Sequence, residues 1–240
     1  MSIQNYDVAK YLVLATRSGK VKKTALQEYD SPRQGGLIAV RLMTNEETGE
    51  PTDELIGAAL CNPEDDIILV SKLGMSLKFR ADDEQLRPMG RQTAGVQGMR
   101  FREGDELLDM DVVSVDTSKD LLVVTNEGFA KRTAIEEYRL QGRNGYGVKA
   151  VQLTEGRGSL VGALIVEETD QVMAIMKSGK VIRSDVNEVK RTGRTTQGVT
   201  LAKPDKGDEI ISIARNEERD DDETQNEELS EKTIGRNLDE

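Results

Sequence analysis

The sequence predicts an all-β, propeller-like fold of about four four-stranded blades. Three observations carry this reading. First, a hairpin-like stretch recurs four times: LVLATRSGKVKKT (12–24), IILVSKLGMSLKF (67–79), LLVVTNEGFAKRT (121–133) and VMAIMKSGKVIRS (172–184). Second, the turn glycines Gly19, Gly74, Gly128 and Gly179 stand 55, 54 and 51 residues apart, and such a fixed period marks a repeat architecture. Third, helical periodicity is weak throughout, and the apolar runs are short and rich in β-branched residues.

Taken in chain order, each unit supplies the same parts. A β-branched run, a polar turn with glycine and a second run read as a β-hairpin. A second segment follows as GGLIAVRL (35–42), GVQGMRF (95–101), GVKAVQL (147–153) and GVTLA (198–202). A third closes the unit as DELIGAAL (53–60), DELLDMDVV (105–113), SLVGALIV (159–166) and DEIISIA (208–214). Four strand candidates in about 50 residues match one propeller blade. The blades are expected at about 8–61, 62–116, 117–167 and 168–216, together one domain over 1–216. The stretches TALQEY and TAIEEY read as one helical turn or an extended loop. With no Trp and no His, the diagnostic pairs of WD40 and kelch propellers are missing, so the repeat is of another kind.

Composition narrows the chemistry. The absence of His removes the commonest general base and the commonest metal ligand. The single cysteine, Cys61 in LIGAALCNP, excludes an intrachain disulfide and a cysteine-rich metal site, and reads as a small core residue. Nothing resembles a nucleophile–base pair, so an autonomous enzyme finds no support. The start MSIQNYDVAK lacks the pattern of a signal peptide, and no apolar run approaches the roughly 18 residues of a membrane span. A reducing cytoplasm is the expected setting.

The net charge of −11 argues against a nucleic-acid ligand until its placement is read. Residues 217–240 hold eleven acidic and three basic residues, a net of −8, which leaves only −3 over 1–216. The tail, poor in apolar residues and without periodicity, is expected to be disordered. It reads as a solubilising segment, or as an acidic mimic competing for a basic surface.

Basic residues recur with the repeat. Four residues after the turn glycines stand Lys23, Lys78, Arg132 and Arg183, with Lys22 and Lys131 preceding in two units. A second position, in PRQGG, GRQTAG, GRNGYG and GRTTQG, carries Arg33, Arg91, Arg143 and Arg194. Placed around an axis, such pairs form a curved array of positive charge suited to a bent polyanion. Glycine-rich loops add backbone N–H groups that hold phosphates. Nothing here is shaped to read bases, so sequence-independent binding of duplex DNA is expected.

At this point the sequence resembles a known family. YLVLATRSGKVKKTALQEYDSPRQGGLIAVRL, LRPMGRQTAGVQGMRF, GFAKRTAIEEY and VKRTGRTTQGV are similar to the C-terminal domain of the DNA gyrase A subunit, in register over about residues 8–215. The related topoisomerase IV domain is less similar. The resemblance implies a β-pinwheel whose neighbouring blades exchange strands. It also implies a non-catalytic module that wraps DNA and so contributes to ATP-dependent negative supercoiling. Its partners would be the rest of the A subunit and the B subunit, with ATP and Mg²⁺ used by other domains and no cofactor or metal in this chain. No tyrosine here (Tyr6, Tyr11, Tyr29, Tyr138, Tyr146) stands in the catalytic context of the family. Tyr29 and Tyr138 read as packing residues.

The family's wrapping box reads Q-[RK]-R-G-G-[RK]-G. Gln141, Gly142, Arg143, Asn144, Gly145, Tyr146 and Gly147 match it at the first, third, fifth and seventh positions. Two of its basic residues are replaced, by Gly142 and Tyr146. The alternative readings are a protein-interaction propeller whose loops dock a partner and a topoisomerase IV-type DNA-positioning domain.

Overall fold

The computed structural model describes residues 3, 5–31, 35–114 and 118–216. Arg33 and the acidic tail 217–240 lie outside the described residues. The first two units contribute β1 (Tyr11–Thr16), β2 (Lys20–Ala25), β3 (Leu55–Cys61), β4 (Asp66–Ser71), β5 (Met75–Arg80), β6 (Val96–Gln97) and β7 (Leu107–Val113). The second two contribute β8 (Asp120–Thr125), β9 (Phe129–Ala134), β10 (Val148–Lys149), β11 (Leu160–Val166), β12 (Gln171–Met176), β13 (Val181–Asp185), β14 (Val199–Thr200) and β15 (Ile210–Arg215). Of the two forms open to TALQEY and TAIEEY, the helical turn is found, as 3-10 turns at Leu26–Tyr29 and Ile135–Glu137. The fold is an all-β pinwheel.

Each of the four hairpins forms as the repeat predicts: β1–β2, β4–β5, β8–β9 and β12–β13. An inner strand joins each one, giving the antiparallel pairs β1–β3, β4–β7, β8–β11 and β12–β15. The outer strand, however, is borrowed. By sequence β6, β10 and β14 belong to units two, three and four, yet they pair with β2, β5 and β9 of the preceding units. The exchange between neighbours that the family resemblance implies is thus what is found, and it moves the outer strand out of the unit whose residues supply it.

Two further departures stem from the same exchange. The fourth sheet has only three described strands, β13-β12-β15, and no described segment pairs with the outer edge of β13. In the first unit the expected strand 35–42 is absent. A strand needs a partner for its N–H and C=O groups, and among the described residues no earlier hairpin offers one.

Burial explains why the strands read as continuous apolar runs. On β4, Ile67 and Leu69 enter a core shared with Val13, Val21 and Phe79, while Ile68 and Val70 enter one shared with Leu121 and Val123. Alternate residues point to opposite faces, so a strand packed between two blades must be apolar on both. Leu122 and Val124 repeat the pattern against Val172 and Ala174. On the last blade it fails: Val172, Ala174 and Met176 are buried, but Gln171, Met173 and Ile175 are only half-buried. Cys61 is buried in the first core, and burial pushes its thiol up to about 12. Tyr138 is buried and Tyr29 half-buried.

A carboxylate fastens three of the hairpin turns. Asp53 accepts the Ser18 N–H at 2.9 Å and the Ser18 hydroxyl at 2.5 Å. Asp105 accepts the Leu73 N–H at 2.9 Å and the Ser71 hydroxyl at 2.6 Å, and Asp208 holds Ser178 in the same way. These aspartates are the first letters of the DE pairs opening the third segments.

Candidate nucleic-acid interface

The hairpin lysines and arginines were expected on a solvent-facing rim, and five of the six lie inside. Exposure is 1% for Lys22, 0% for Lys23, 8% for Lys78, 1% for Lys131 and 5% for Arg132. The cause is the exchange. Residues of the next unit run along the outer edge of each hairpin, and Met89, Gln141 and Thr192 each donate an N–H to the carbonyl of Lys23, Lys78 and Arg132 at 2.8 Å. The side chains are roofed over as the edge is covered.

A buried cation must be hydrogen-bonded or paired, and these are. The Lys23 ammonium donates to Ala81 O at 2.5 Å and pairs with Asp83 at 2.7 Å. Lys78 donates to Ile135 O at 3.3 Å, with Asp66 3.7 Å away. Arg132 donates to Val189 O at 3.0 Å and faces Asp120 at 3.4 Å and Glu168 at 3.3 Å. Their charges stitch units together, and none is presented to a polyanion. Only Arg183, on the fourth hairpin, is exposed; its Nε donates to Gln171.

Lys22 and Lys131 have a more specific task. Lys22 donates to Ala39 O at 2.8 Å, Gly90 O at 3.0 Å and Arg91 O at 2.5 Å. Lys131 donates to Gly193 O at 2.9 Å and Arg194 O at 2.5 Å. Each ammonium thus sits under the arginine-bearing loop of the next unit and gathers its carbonyls. Burial lowers both lysines to about 8. In both loops a threonine closes the turn, Thr93 N–H to Gly90 O and Thr196 N–H to Gly193 O, each at 3.2 Å. In the second hairpin the equivalent residue is Leu77, and its loop differs accordingly. Gly145 replaces the threonine, and the nearest atom to a side chain added there would be Leu77 Cδ1, at 3.3 Å.

That loop, Gln141–Gly147, is the box-like segment. Asn144 takes a left-handed φ of 68° although it is not glycine. The expectation that its amides are open to phosphate is corrected for three of them. Gln141 N–H goes to Lys78 O at 2.8 Å, Asn144 N–H to Gly98 O at 2.5 Å and Arg143 N–H to Gln85 Oε1 at 3.2 Å. Gly142, Asn144 and Tyr146 face outward, Tyr146 at 50% exposure. Asn144 Oδ1 accepts from Arg100 Nε at 2.8 Å, bringing an exposed guanidinium of the second unit onto the loop. Gly147 ends the segment at φ 73° beside Ser76 of the second hairpin.

The loop arginines Arg91, Arg143 and Arg194 are half-buried. Arg143 Nη1 donates to Gln97 O at 3.0 Å and Arg194 Nη1 to Lys149 O at 3.1 Å. Each reaches back to the outer strand supplied by the preceding unit, so successive loops are linked in one line. Arg143 Nε also donates to Gln85 O.

Three basic residues missed in the sequence complete the line. Arg87, Arg139 and Lys190 stand four residues before Arg91, Arg143 and Arg194, and all three are exposed. Each is followed at once by a residue bridged to the hairpin edge, in the pairs Pro88 with Lys23, Leu140 with Lys78 and Arg191 with Arg132. The repeat register that aligns the loop arginines aligns these residues too. Among the described residues no cluster of three or more His, Cys, Asp or Glu is arranged to hold a metal, and no helix is long and apolar enough to cross a membrane.

The model of the DNA gyrase C-terminal domain, beta-propeller, matches residues 10–62, 65–114, 119–167 and 170–217. The chain belongs to this family. Among curated relatives, the DNA gyrase A subunit of Streptomyces coelicolor is 54% identical over 217 residues, covering 90% of this chain and 25% of its own length. That of Mycolicibacterium smegmatis is 51% identical over 221 residues, covering 92% and 25%. This gyrase domain therefore spans about a quarter of the relatives it matches. A solved DNA gyrase A C-terminal domain superposes with a TM-score of 0.72 at 26% identity, over 85% of this chain and 65% of that one. The topoisomerase IV C-terminal domain gives 0.78 at 22% identity, over 90% and 64%, a likeness of fold.

Proposed function

We propose that this gyrase C-terminal domain binds duplex DNA without regard to sequence and wraps it along the outer line of its blades. It does so as a non-catalytic, cytoplasmic part of a type II topoisomerase. The observation that carries the reading is the repeated pair of an exposed basic residue and a loop arginine: Arg87 with Arg91, Arg139 with Arg143, and Lys190 with Arg194. Phosphate binding by such a line needs only positive side chains at a regular spacing along a curve. Arg100, held by Asn144, adds charge to the loop whose box has lost two basic residues. In the holoenzyme the wrapped segment would be presented for strand passage by the rest of the A subunit and by the B subunit, with ATP and Mg²⁺ used there.

Binding measured against salt tests the contacts. Each phosphate neutralised adds about 0.9 to the slope of log K on log salt. Replacing Arg87, Arg139 and Lys190 together by alanine should flatten the slope by about 2.7, with the fold unchanged by circular dichroism. An unchanged slope sinks this line as the DNA path. For wrapping, a nicked circle ligated with the domain bound should show a shifted linking number; no shift would leave binding without wrapping.

A further inference from the structure

The inner strands of successive blades lie next to one another, as β3 with β7, β7 with β11 and β11 with β15. Two of these junctions are apolar fits of a glycine on a larger neighbour. A Cβ on Gly57 would meet Met110 Cβ and Cε at 3.2 Å, and one on Gly162 would strike Ile213. The middle junction is built differently. The repeat places Asp109 where its neighbours have Gly57 and Gly162, and Asp109 faces Ala163. Two residues on stands Asp111.

Each carboxylate spans the gap between β7 and β11. Asp109 Oδ1 accepts the Met110 N–H at 2.9 Å, and its Oδ2 accepts the Ala163 N–H at 3.3 Å. Asp111 Oδ1 accepts the Val112 N–H at 2.8 Å, and its Oδ2 accepts the Ile165 N–H at 3.1 Å. Residues two apart share a strand face, so two like charges stand side by side in the junction. Among the described residues no cation pairs with either. β11 has no titratable residue, and β3 brings only the buried Cys61. β4 brings Asp66, already held by Arg80 at 2.7 Å and Lys78 at 3.7 Å. From β15, Arg215 Nη2 donates to Ile165 O while its Nε faces Asp170 at 3.5 Å. Burial pushes the Asp109 carboxyl up to about 6 against the pull of its two N–H partners, and the Asp111 charge adds to the rise.

We propose that the junction of the second and third blades is the hinge of the pinwheel, parting at its inner edge while Asp109 is ionised and closing when it takes up a proton. The outer side supplies the pivot. There β10 of the third unit lies in the second sheet, Gln152 N–H donates to Thr196 O at 3.0 Å and Arg194 Nη1 donates to Lys149 O at 3.1 Å. Parting lets water reach both carboxylates, and an ionised group favours water over burial. The two apolar junctions gain nothing of the kind. Turning about the outer side changes the angle between the rims that carry Arg143 and Arg194. The hinge needs no ligand and stands apart from the DNA reading.

The closed junction holds the Asp109 proton more tightly than the hydrated one, so opening grows as pH rises from 3.8 to about 6. Amide exchange of the whole chain, followed by NMR from about pH 4 to 7 and expressed as protection factors, tests it. Protection of Ala163 and Ile165 should fall across that window by up to about tenfold per pH unit and then level off. The amides of the β4–β5 and β8–β9 hairpins should not fall with them. Asp109→Asn, of the same shape and without charge, should abolish the pH dependence and raise protection at neutral pH at least about tenfold. Asp111→Asn, which removes the like charge, should move the midpoint to lower pH. A flat profile at Ala163 and Ile165, or an unaltered dependence in Asp109→Asn, would overturn the proposal. So would an Asp109 carboxyl carbon that titrates in the ordinary carboxylate range.

Discussion

The third and fourth hairpins carry a basic residue at the same position and treat it in opposite ways. Arg132 is 5% exposed and held among Val189 O, Asp120 and Glu168. Arg183 is exposed, and its Nε donates to Gln171. Nothing in KRT against IRS announces this difference. It comes from the neighbouring repeat: the third hairpin is covered by residues of unit four, while no described unit lies beyond the fourth. The environment of a residue in this fold is set one repeat downstream of it.

The largest break in that comparison is Arg132→Ala. Removing one partner of a buried ion pair leaves the other charge stranded at a cost of roughly 3–5 kcal/mol. Asp120 keeps Arg191 at 2.5 Å, which places the loss at the low end, about 3 kcal/mol, in urea unfolding. A loss within the range of a surface substitution would mean that the covering segment does not seal the site.

Lys131→Met comes next. It strips the lysine donor from Arg194 O, while Gly193 O keeps the Thr196 N–H and hydroxyl, and one unsatisfied group costs about 1–3 kcal/mol. Its pH dependence has a defined sign. Because burial lowers Lys131 to about 8 from its ordinary 10.5, the unfolded chain binds more protons between those values. Stability of the parent should therefore rise relative to Lys131→Met as pH climbs from about 8 towards 10.5. A difference that shrinks over that window would contradict the buried, carbonyl-bound ammonium. The smallest effect belongs to Arg183→Ala, within about 0.5 kcal/mol, as for other exposed residues. If it matches Arg132→Ala, the two hairpins are not as different as their burial indicates.

The hairpins, the four-fold repeat and the loop arginines were legible in the sequence because each leaves a local trace: a turn glycine, a β-branched run, an arginine at fixed spacing. The destination of Val96, Val148 and Val199 was not, since a two-residue strand reads alike whether it joins its own blade or its neighbour's. The same blindness misplaced Lys22, Lys23, Lys78, Lys131 and Arg132. Their recurrence is a property of the junction between blades, which charge pattern alone does not distinguish from a charged rim. Arg87, Arg139 and Lys190 escaped notice for a simpler reason: in the first unit Tyr29 occupies their position, so the column is not basic in all four copies.

Borrowed outer strands also give the molecule a direction in time. The β2 edge is finished by β6, which begins at Val96, about 70 residues after β2 ends at Ala25. At roughly 5–20 residues per second of synthesis, that edge stays bare for roughly 4–14 seconds. Each later unit, on emerging, closes the one before it and opens its own. A nascent chain thus always carries one unfinished blade, and a ribosome that stalls inside any unit leaves an adhesive strand behind.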